Sequence, residues 1–211
     1  MKKLILTACA VFATSFAFAQ SNNDVTTQLG NGNYAKVDQV GAVNDNSIMQ
    51  EGNLNIATTK QTGIANTNES ESYGNSNTID VVQVGLANDS YSGQLGNSNL
   101  AIVRQTGLAN ESSQIQIGNA NGAGVQQVGL GNQNVQWQYG NSNIAVAVQT
   151  GIANSSDQWQ LGNGNMALVN QTGMLNEAIQ TQIGNANFAT IEQDGFGNTA
   201  DQWQHRQFLS F

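Results

Sequence analysis

The feature that most constrains this chain is a frame of asparagine, glycine and glutamine that recurs every 11 residues. Asparagine fills every slot from Asn22 to Asn198, and glycine fills every slot from Gly30 to Gly195. Glutamine fills its slots up to Gln204, except for the one that Ser72 occupies. No insertion or deletion interrupts the frame. So strict a period is typical of a repeat architecture, in which one small unit is stacked many times.

The slot residues are candidates for structural roles that repeat in every unit. Glycine at a fixed slot predicts a tight corner, because glycine takes positive φ without a steric penalty. The corner glycines are Gly30, Gly41, Gly52, Gly63, Gly74, Gly85, Gly96, Gly107, Gly118, Gly129, Gly140, Gly151, Gly162, Gly173, Gly184 and Gly195.

The amide side chains at the other slots predict hydrogen-bonded columns. Asn and Gln amides carry both a donor and an acceptor, so a column of identical amides can bond to itself. The expected asparagine ladder comprises Asn33, Asn44, Asn55, Asn66, Asn77, Asn88, Asn99, Asn110, Asn121, Asn132, Asn143, Asn154, Asn165, Asn176, Asn187 and Asn198. The expected glutamine ladder comprises Gln28, Gln39, Gln50, Gln61, Gln83, Gln94, Gln105, Gln116, Gln127, Gln138, Gln149, Gln160, Gln171, Gln182, Gln193 and Gln204.

The residues between a slot asparagine and the next slot glutamine predict a β-strand. Small, β-branched and aromatic residues recur there with a spacing of two, as in Asn143-Ala145-Ala147-Gln149. A period of two is the pattern of a strand with one inward face. Each seven-residue segment is therefore expected to form one strand. Four residues, such as Tyr139 to Ser142, are expected to form the corner.

Successive segments alternate in kind, so the full repeat is 22 residues long. One kind has inward Ala and β-branched residues, whereas the other is more polar, as at Ser156. Two unlike faces predict an all-β fold, a β-solenoid of about eight and a half stacked strand-turn-strand-turn coils. The inward glutamines of the polar segments either form a further ladder or face a sheet that is open to water: Gln114, Gln136, Gln158, Gln180 and Gln202.

The N-terminal residues indicate that the chain is exported. Residues 1–19 have a basic start and an uncharged apolar run, which is typical of a signal peptide with cleavage between Ala19 and Gln20. The rival interpretation, a lipoprotein box ending at Cys9, leaves almost no apolar run before the cysteine. Residues 20–204 then form the repeat solenoid, and residues 205–211 form a C-terminal tail outside the frame.

The composition excludes several function classes. The formal net charge is −8, and only four basic residues follow the leader, which argues against binding to nucleic acid or anionic lipid. No cysteine follows the leader, so neither disulfides nor a thiol nucleophile is available there. His205 is the only histidine, and no catalytic constellation or set of metal ligands is visible around it. We expect no cofactor, no metal and no enzymatic activity.

Outward residues of three kinds are also candidates for a function: a tryptophan column, a threonine column and scattered acidic residues. Trp137, Trp159 and Trp203 occupy the same outward site of the more polar segments, either as a chance hydrophobic stripe or as a lateral contact between filaments. Threonine alternates with valine along another column, whereas ice-binding solenoids need threonine on every coil. Acidic residues such as Asp80, Asp89 and Glu111 are expected to be solvated and to oppose premature association.

The frame resembles the curlin repeat family, the extracellular amyloid subunits of bacterial curli fibres. The family pattern of Ser, Gln, Gly, Asn, Ala and Gln is carried, for example, by Ser156 to Gln160 and by Asn165 to Gln171. The ending from Gly195 to Ala200 is similar to the last repeat of the major curlin subunit. The resemblance covers residues 22–204, with about eight repeats instead of five. The longer N-terminal segment that known members use to engage the secretion pore is not seen.

The resemblance implies a structural subunit of a self-polymerising curli-like fibre at the cell surface, with roles in biofilm matrix, adhesion and cell aggregation. It implies four kinds of partner: further copies of the chain, a nucleator subunit, an outer-membrane secretion pore and periplasmic chaperones. One alternative is that the chain is itself the nucleator. Another is a monomeric solenoid that binds ice or another ligand, and a third, a polysaccharide-active enzyme, lacks a carboxylate cluster.

One region of the frame is weaker than the rest. The segment Asn66 to Ser72 has the broken glutamine slot and two acidic residues, and Asp89 is expected to stack on Glu111 one coil on. We hypothesise that residues 66–94 lack ladder bonds and act as a brake that slows folding until the chain is outside the cell.

Overall fold

A computed structural model describes residues 21–205, and all of its regular elements are strands. The leader, its cleavage site at Ala19 and Gln20, Cys9, and residues 206–211 lie outside the described residues. No helix in the described part is long and apolar enough to span a membrane. The strands are β1 (Asn23–Leu29), β2 (Tyr34–Ala42), β3 (Asp45–Asn53), β4 (Ile56–Ile64), β5 (Thr67–Asn75), β6 (Thr78–Leu86), β7 (Asp89–Asn97), β8 (Leu100–Leu108), β9 (Glu111–Asn119), β10 (Gly122–Leu130), β11 (Gln133–Asn141), β12 (Ile144–Ile152), β13 (Ser155–Asn163), β14 (Met166–Met174), β15 (Glu177–Ile183), β16 (Phe188–Phe196) and β17 (Thr199–His205).

The strands form two parallel sheets. The odd-numbered strands make a nine-stranded sheet, here called the odd sheet, and the even-numbered strands make an eight-stranded even sheet. Each strand pairs with the strand two places before it and the strand two places after it. Ala145, for example, lies opposite Ala123 on one side and Ala167 on the other, a constant offset of 22 residues. The expected β-solenoid of 22-residue coils is confirmed.

Side chains alternate between the interior and solvent along the strands, as the period of two predicts, except in the end strand β1, where all seven residues are exposed. The interior of the even sheet is apolar. Val81, Val103, Ala145 and Ala147 have no exposed surface. Small and β-branched side chains fit here because two stacked sheets lie only about 10 Å apart.

The strands differ in their bounds from those that the sequence predicts. The expected strand ran from Asn143 to Gln149, whereas β12 spans Ile144–Ile152 and includes the slot glycine, Gly151. The physical reason is that Gly151 has a φ of 128°, which bends the chain while its backbone stays paired with Gly129 and Gly173. The strand pairing therefore continues into the corner.

Only glycine fits at the slots, for two reasons. The backbone there approaches the neighbouring coil closely, and its φ is positive. A Cβ atom on Gly140 would lie 1.9 Å from the carbonyl oxygen of Gly162, and the substituted residue would also have to keep a φ of 123°. The same contact, between 1.8 and 2.0 Å, recurs for every slot glycine from Gly30 to Gly173. No side chain can be accommodated there without separating two coils.

Each corner has a second residue with positive φ, just before the slot asparagine, and the sequence analysis did not identify it. Gly32, Gly131, Gly164 and Gly197 hold this position with φ between 64° and 66°. Other residue types hold it elsewhere with φ between 52° and 59°: Val43, Leu54, Ala65, Ser76, Ala87, Ser98, Ala109, Ala120, Ser142, Ala153, Leu175 and Ala186. A left-handed non-glycine residue costs on the order of 1–3 kcal/mol, so the rest of the coil must hold it in place.

Two glycine-to-alanine substitutions distinguish the two corner positions. Gly140→Ala should lower the free energy of unfolding by about 4 kcal/mol or more, because its Cβ would overlap the Gly162 carbonyl and separate β11 from β13. Gly131→Ala is the matched control, since nothing lies within 4 Å of its Cβ. It should cost only about 1–2 kcal/mol.

The measurement is urea unfolding of the dilute mature protein followed by circular dichroism. Equal losses from Gly140→Ala and Gly131→Ala would contradict the close approach of the two coils at the slot glycines.

Candidate assembly surfaces

The slot glutamines form one continuous hydrogen-bonded column in each sheet, apart from one break. In the even sheet, the Nε2 atom of Gln149 donates to Oε1 of Gln171 over 2.9 Å, and the same bond joins Gln127 to Gln149. Gln149 Nε2 also donates over 2.8 Å to the backbone carbonyl of Gln133, which belongs to the odd sheet. Each glutamine therefore joins its own coil to the next one and also joins the two sheets.

The slot asparagines lie at the corners and bond in the opposite direction along the solenoid. The backbone N–H and the Nδ2 atom of Asn143 both donate to Oδ1 of Asn121, over 3.0 and 3.2 Å. Asn143 Nδ2 also donates to the carbonyl of Gly162 over 2.8 Å. One buried amide column thus satisfies a backbone N–H and a backbone carbonyl at each corner, beside the backbone pairing between coils.

The inward glutamines of the odd sheet form a further ladder, which decides between the two possibilities left open by the sequence. Nε2 of Gln136 donates to Oε1 of Gln158 over 2.7 Å, and also to the carbonyl of Gly124 in the even sheet. Gln114, Gln136, Gln158 and Gln180 have no exposed surface. The odd sheet is therefore closed to water and held by amide bonds.

An exposed asparagine column at the corners was missed by the sequence analysis. Asn53 Nδ2 donates to Asn75 Oδ1 over 2.9 Å, and the next coils repeat this bond. The signal was present, because asparagine follows the slot glycine at every second corner. The column comprises Asn31, Asn53, Asn75, Asn97, Asn119, Asn141, Asn163 and Asn185.

The glutamine column of the odd sheet breaks at Ser72. Gln50 and Gln94 lie on either side of Ser72 in the strand register, and the short Ser72 hydroxyl contacts only Gln94 Oε1, over 3.4 Å. The expectation that residues 66–94 lack ladder bonds is wrong for the asparagines, and also for Gln83 and Gln94, which donate to Gln105 and Gln116 over 2.9 Å. Asn66 Nδ2 still donates to Asn44 Oδ1 over 3.0 Å, because the corner column does not depend on the residue at the glutamine slot.

The acidic residues near this break fall into two groups. Asp89 lies directly opposite Glu111 in the register of β7 and β9, and burial raises the pKa of the Asp89 carboxyl. Glu71 accepts a hydrogen bond from the Tyr91 hydroxyl, and burial together with the Glu71 charge raises the pKa of Tyr91 to about 12. The stacked pair opposes strand pairing, whereas Glu71 has a stabilising partner.

Asp80 differs from the expectation that it is plainly solvated. It forms an ion pair with Arg104 and accepts a hydrogen bond from the Thr58 hydroxyl over 2.6 Å. The register explains this contact, because Thr58 lies opposite Asp80 one coil away.

The two ends of the described solenoid present unpaired strand edges. At the N-terminal end, β1 and β2 have partners on one side only, and at the C-terminal end the same is true of β16 and β17. Unpaired edges with free N–H and C=O groups favour the addition of another strand.

The ladder groups at these ends are complementary. Because glutamines donate toward the C-terminus, Gln193 and Gln204 end their columns. Each Nε2 donates to a carbonyl of the opposite sheet, and its second N–H has no partner among the described residues. Gln28 and Gln39 begin their columns at the N-terminal end, where each Oε1 can accept such a bond. The slot-asparagine columns have the reverse polarity, whereas the exposed column that begins at Asn31 donates toward the C-terminus as the glutamines do. The slot columns at each end therefore offer what the other end lacks.

The tryptophan column forms an apolar groove on the outer face of the odd sheet. The rings of Trp137 and Trp159 stack with centroids 4.8 Å apart and an interplanar angle of 17°. Tyr139 and Leu161 line the same groove and are more than half exposed. Trp203 lies further along the solenoid, beyond Thr181, and is 73% exposed.

Within residues 21–205, no group of three or more His, Cys, Asp and Glu side chains could hold a metal ion. In the threonine column, Thr106 lies between Val84 and Val128, as the sequence predicts, whereas Thr150 and Thr172 lie opposite each other on consecutive coils. The surface is therefore not a flat threonine array.

Comparison with known proteins gives one positive result. Residues 74–107 match the curlin associated repeat, in agreement with the resemblance found from the frame. The matched segment covers β6, β7 and all but the last residue of β8, with the corners between them. A search of curated proteins gave no significant match.

The break at Ser72 provides a test of the ladder energetics. Ser72→Gln should raise the free energy of unfolding by about 1–2 kcal/mol, because the new amide would link Gln50 to Gln94. Hydrogen exchange of the β5 backbone should slow accordingly, and the lag before assembly should shorten.

The control is Glu71→Gln, which removes a charge at the neighbouring outward site but leaves the column broken. It should not reproduce the gain, because it also weakens the hydrogen bond from Tyr91. A gain from Glu71→Gln that equals the gain from Ser72→Gln would show that charge, and not the amide column, limits this region.

Proposed function

We propose that this chain, which carries the curlin associated repeat, is a structural subunit of an extracellular curli-like fibre that grows by addition of copies end to end. The observation that supports this proposal most strongly is the complementarity of the two ends. Gln193 and Gln204 present donors where Gln28 and Gln39 present acceptors. Each added copy extends the ladders that already hold the coils together.

The character of the first edge strand, β1, favours growth over a monomeric state. Soluble proteins protect strand edges with proline, with charged side chains or with covering segments. The chain contains no proline, and Asp24 is the only charged residue in β1. Asp24 accepts a hydrogen bond from Asn46 over 2.7 Å, which satisfies part of its charge inside the first coil.

The proposed location and partners follow from the leader and from the family resemblance. Export through the signal peptide of residues 1–19 places the chain outside the cytoplasm. A dedicated outer-membrane pore, periplasmic chaperones and a nucleator subunit are the proposed partners. The fibres are proposed to serve biofilm matrix, adhesion and cell aggregation.

The test is the assembly of purified mature protein. Dilute protein should form fibres after a lag, preformed fibres should abolish that lag, and fibre diffraction should show a spacing of about 4.7–4.8 Å along the axis. Electron microscopy and a dye-binding time course are the measurements.

Three results would each contradict the proposal. They are persistent folded monomers, precipitation without a lag that seeds cannot accelerate, and the absence of the axial spacing.

A further inference from the structure

The numbers of strands in the two sheets restrict how one copy can dock on another. The odd sheet has nine strands and the even sheet has eight, so β17 extends one strand beyond β16. The next free pairing position along the solenoid is beside β16, and the position after it is beside β17. The N-terminal end of an added copy supplies β1 first and β2 second.

We propose that, within the fibre proposed above, each added copy is rotated by half a turn about the fibre axis, so that its odd sheet continues the even sheet of the preceding copy. In this arrangement β1 of the next copy pairs with β16, and β2 of the next copy pairs with β17. Both exposed edges then gain a partner, and no pairing position is left empty.

Docking without rotation leaves a gap. If β1 of the next copy pairs with β17, its β2 lies two strand spacings from β16, about 9.6 Å away. The backbone groups of β16 then have no strand partner. A tilt that closed this gap would bring Glu192 opposite Asp38 of the next copy, and like charges directly opposite each other are destabilising.

The 11-residue frame allows the sheets to be exchanged. In the rotated arrangement every residue from 187 to 204 pairs with the residue 165 positions earlier in the next copy, which is a multiple of the frame. Gln193 and Gln204 then meet Gln28 and Gln39 of the next copy. Asn198 likewise meets Asn33. The slot-glutamine and slot-asparagine columns therefore continue across the junction, whereas the inner glutamine ladder ends at Gln202, which meets Val37 of the next copy.

The outward charges of the end strands are complementary in the rotated arrangement. Asp201 of β17 and Lys36 of β2 are both exposed and outward. They have the same position in their segments, three residues after Asn198 and Asn33, so rotation brings them directly opposite each other. Without rotation, Asp201 faces Val25 of the next copy instead.

The corners at the junction supply a second, independent observation. Rotation stacks Gly197 of one copy on Gly32 of the next. These are two of only four corner positions in the described chain where the second positive-φ residue is glycine, with φ of 66° at both. Glycine carries no left-handed penalty there, so the junction can adjust to the exchange of sheets.

Engineered cysteines test the arrangement in the mature protein, which has no cysteine of its own. Fibres of the double variant Lys36→Cys with Asp201→Cys should form disulfide-linked multimers on oxidation, because the two Cα atoms lie at strand spacing. The matched double variant Val25→Cys with Asp201→Cys should give none. Electrophoresis without reductant reads out both variants, and microscopy confirms that each forms fibres.

Charge exchange is the second measurement. Lys36→Asp or Asp201→Lys alone should slow seeded growth several-fold, and the two together should restore it. Multimers from the Val25 variant, or fibres that cross-link in neither variant, would overturn the half-turn arrangement and leave the proposed function intact. If the unmodified protein forms no fibres, the proposed function itself fails.

Discussion

The constraint on which the rest of the structure depends is the satisfaction of buried amides at a fixed offset of 22 residues. The interior contains two columns of buried glutamines from the slots, a third from the odd sheet, and buried asparagines at the corners. A buried amide without a partner costs about 1–3 kcal/mol, so an interior of this kind is stable only if every coil repeats the last one in register. The absence of insertions in the sequence follows from this requirement.

This arrangement also carries costs that vary along the chain. Each corner holds a residue in the left-handed region, and at Val43 that residue is β-branched. In the odd sheet, the buried hydroxyls of Ser90, Ser112 and Ser156 have no hydrogen-bond partner among the described residues. The break at Ser72 and the stacked Asp89 and Glu111 add to these costs. The first half of the odd sheet has the broken slot column and lacks the inner glutamine ladder of the second half, whereas unpartnered buried groups occur in both halves and include the side-chain amide of Asn134.

Much of the fold could be predicted from the sequence because the frame has a single physical meaning at each slot. The period of two identified the strands and their inward faces, and the alternation of segments identified the two sheets. The strand bounds could not be predicted, because Gly151 stays paired at a φ that usually ends a strand. Whether Gln136 joins a buried ladder or faces water depends on the distance between the sheets, which composition does not give. The donor direction of each ladder, and hence the complementarity of the ends, required coordinates.

The most direct test of this account is hydrogen exchange of glutamine side-chain amides in the folded protein, resolved by NMR. Gln126 and Gln127 are neighbours in β10, but Gln126 is exposed whereas Gln127 is fully buried and donates to Gln149 over 2.9 Å. The account predicts that the Gln127 amide exchanges orders of magnitude more slowly than the Gln126 amide, with the same protection at Gln105 and Gln149. Equal exchange rates at Gln126 and Gln127 would contradict the claim that amide ladders hold the coils together.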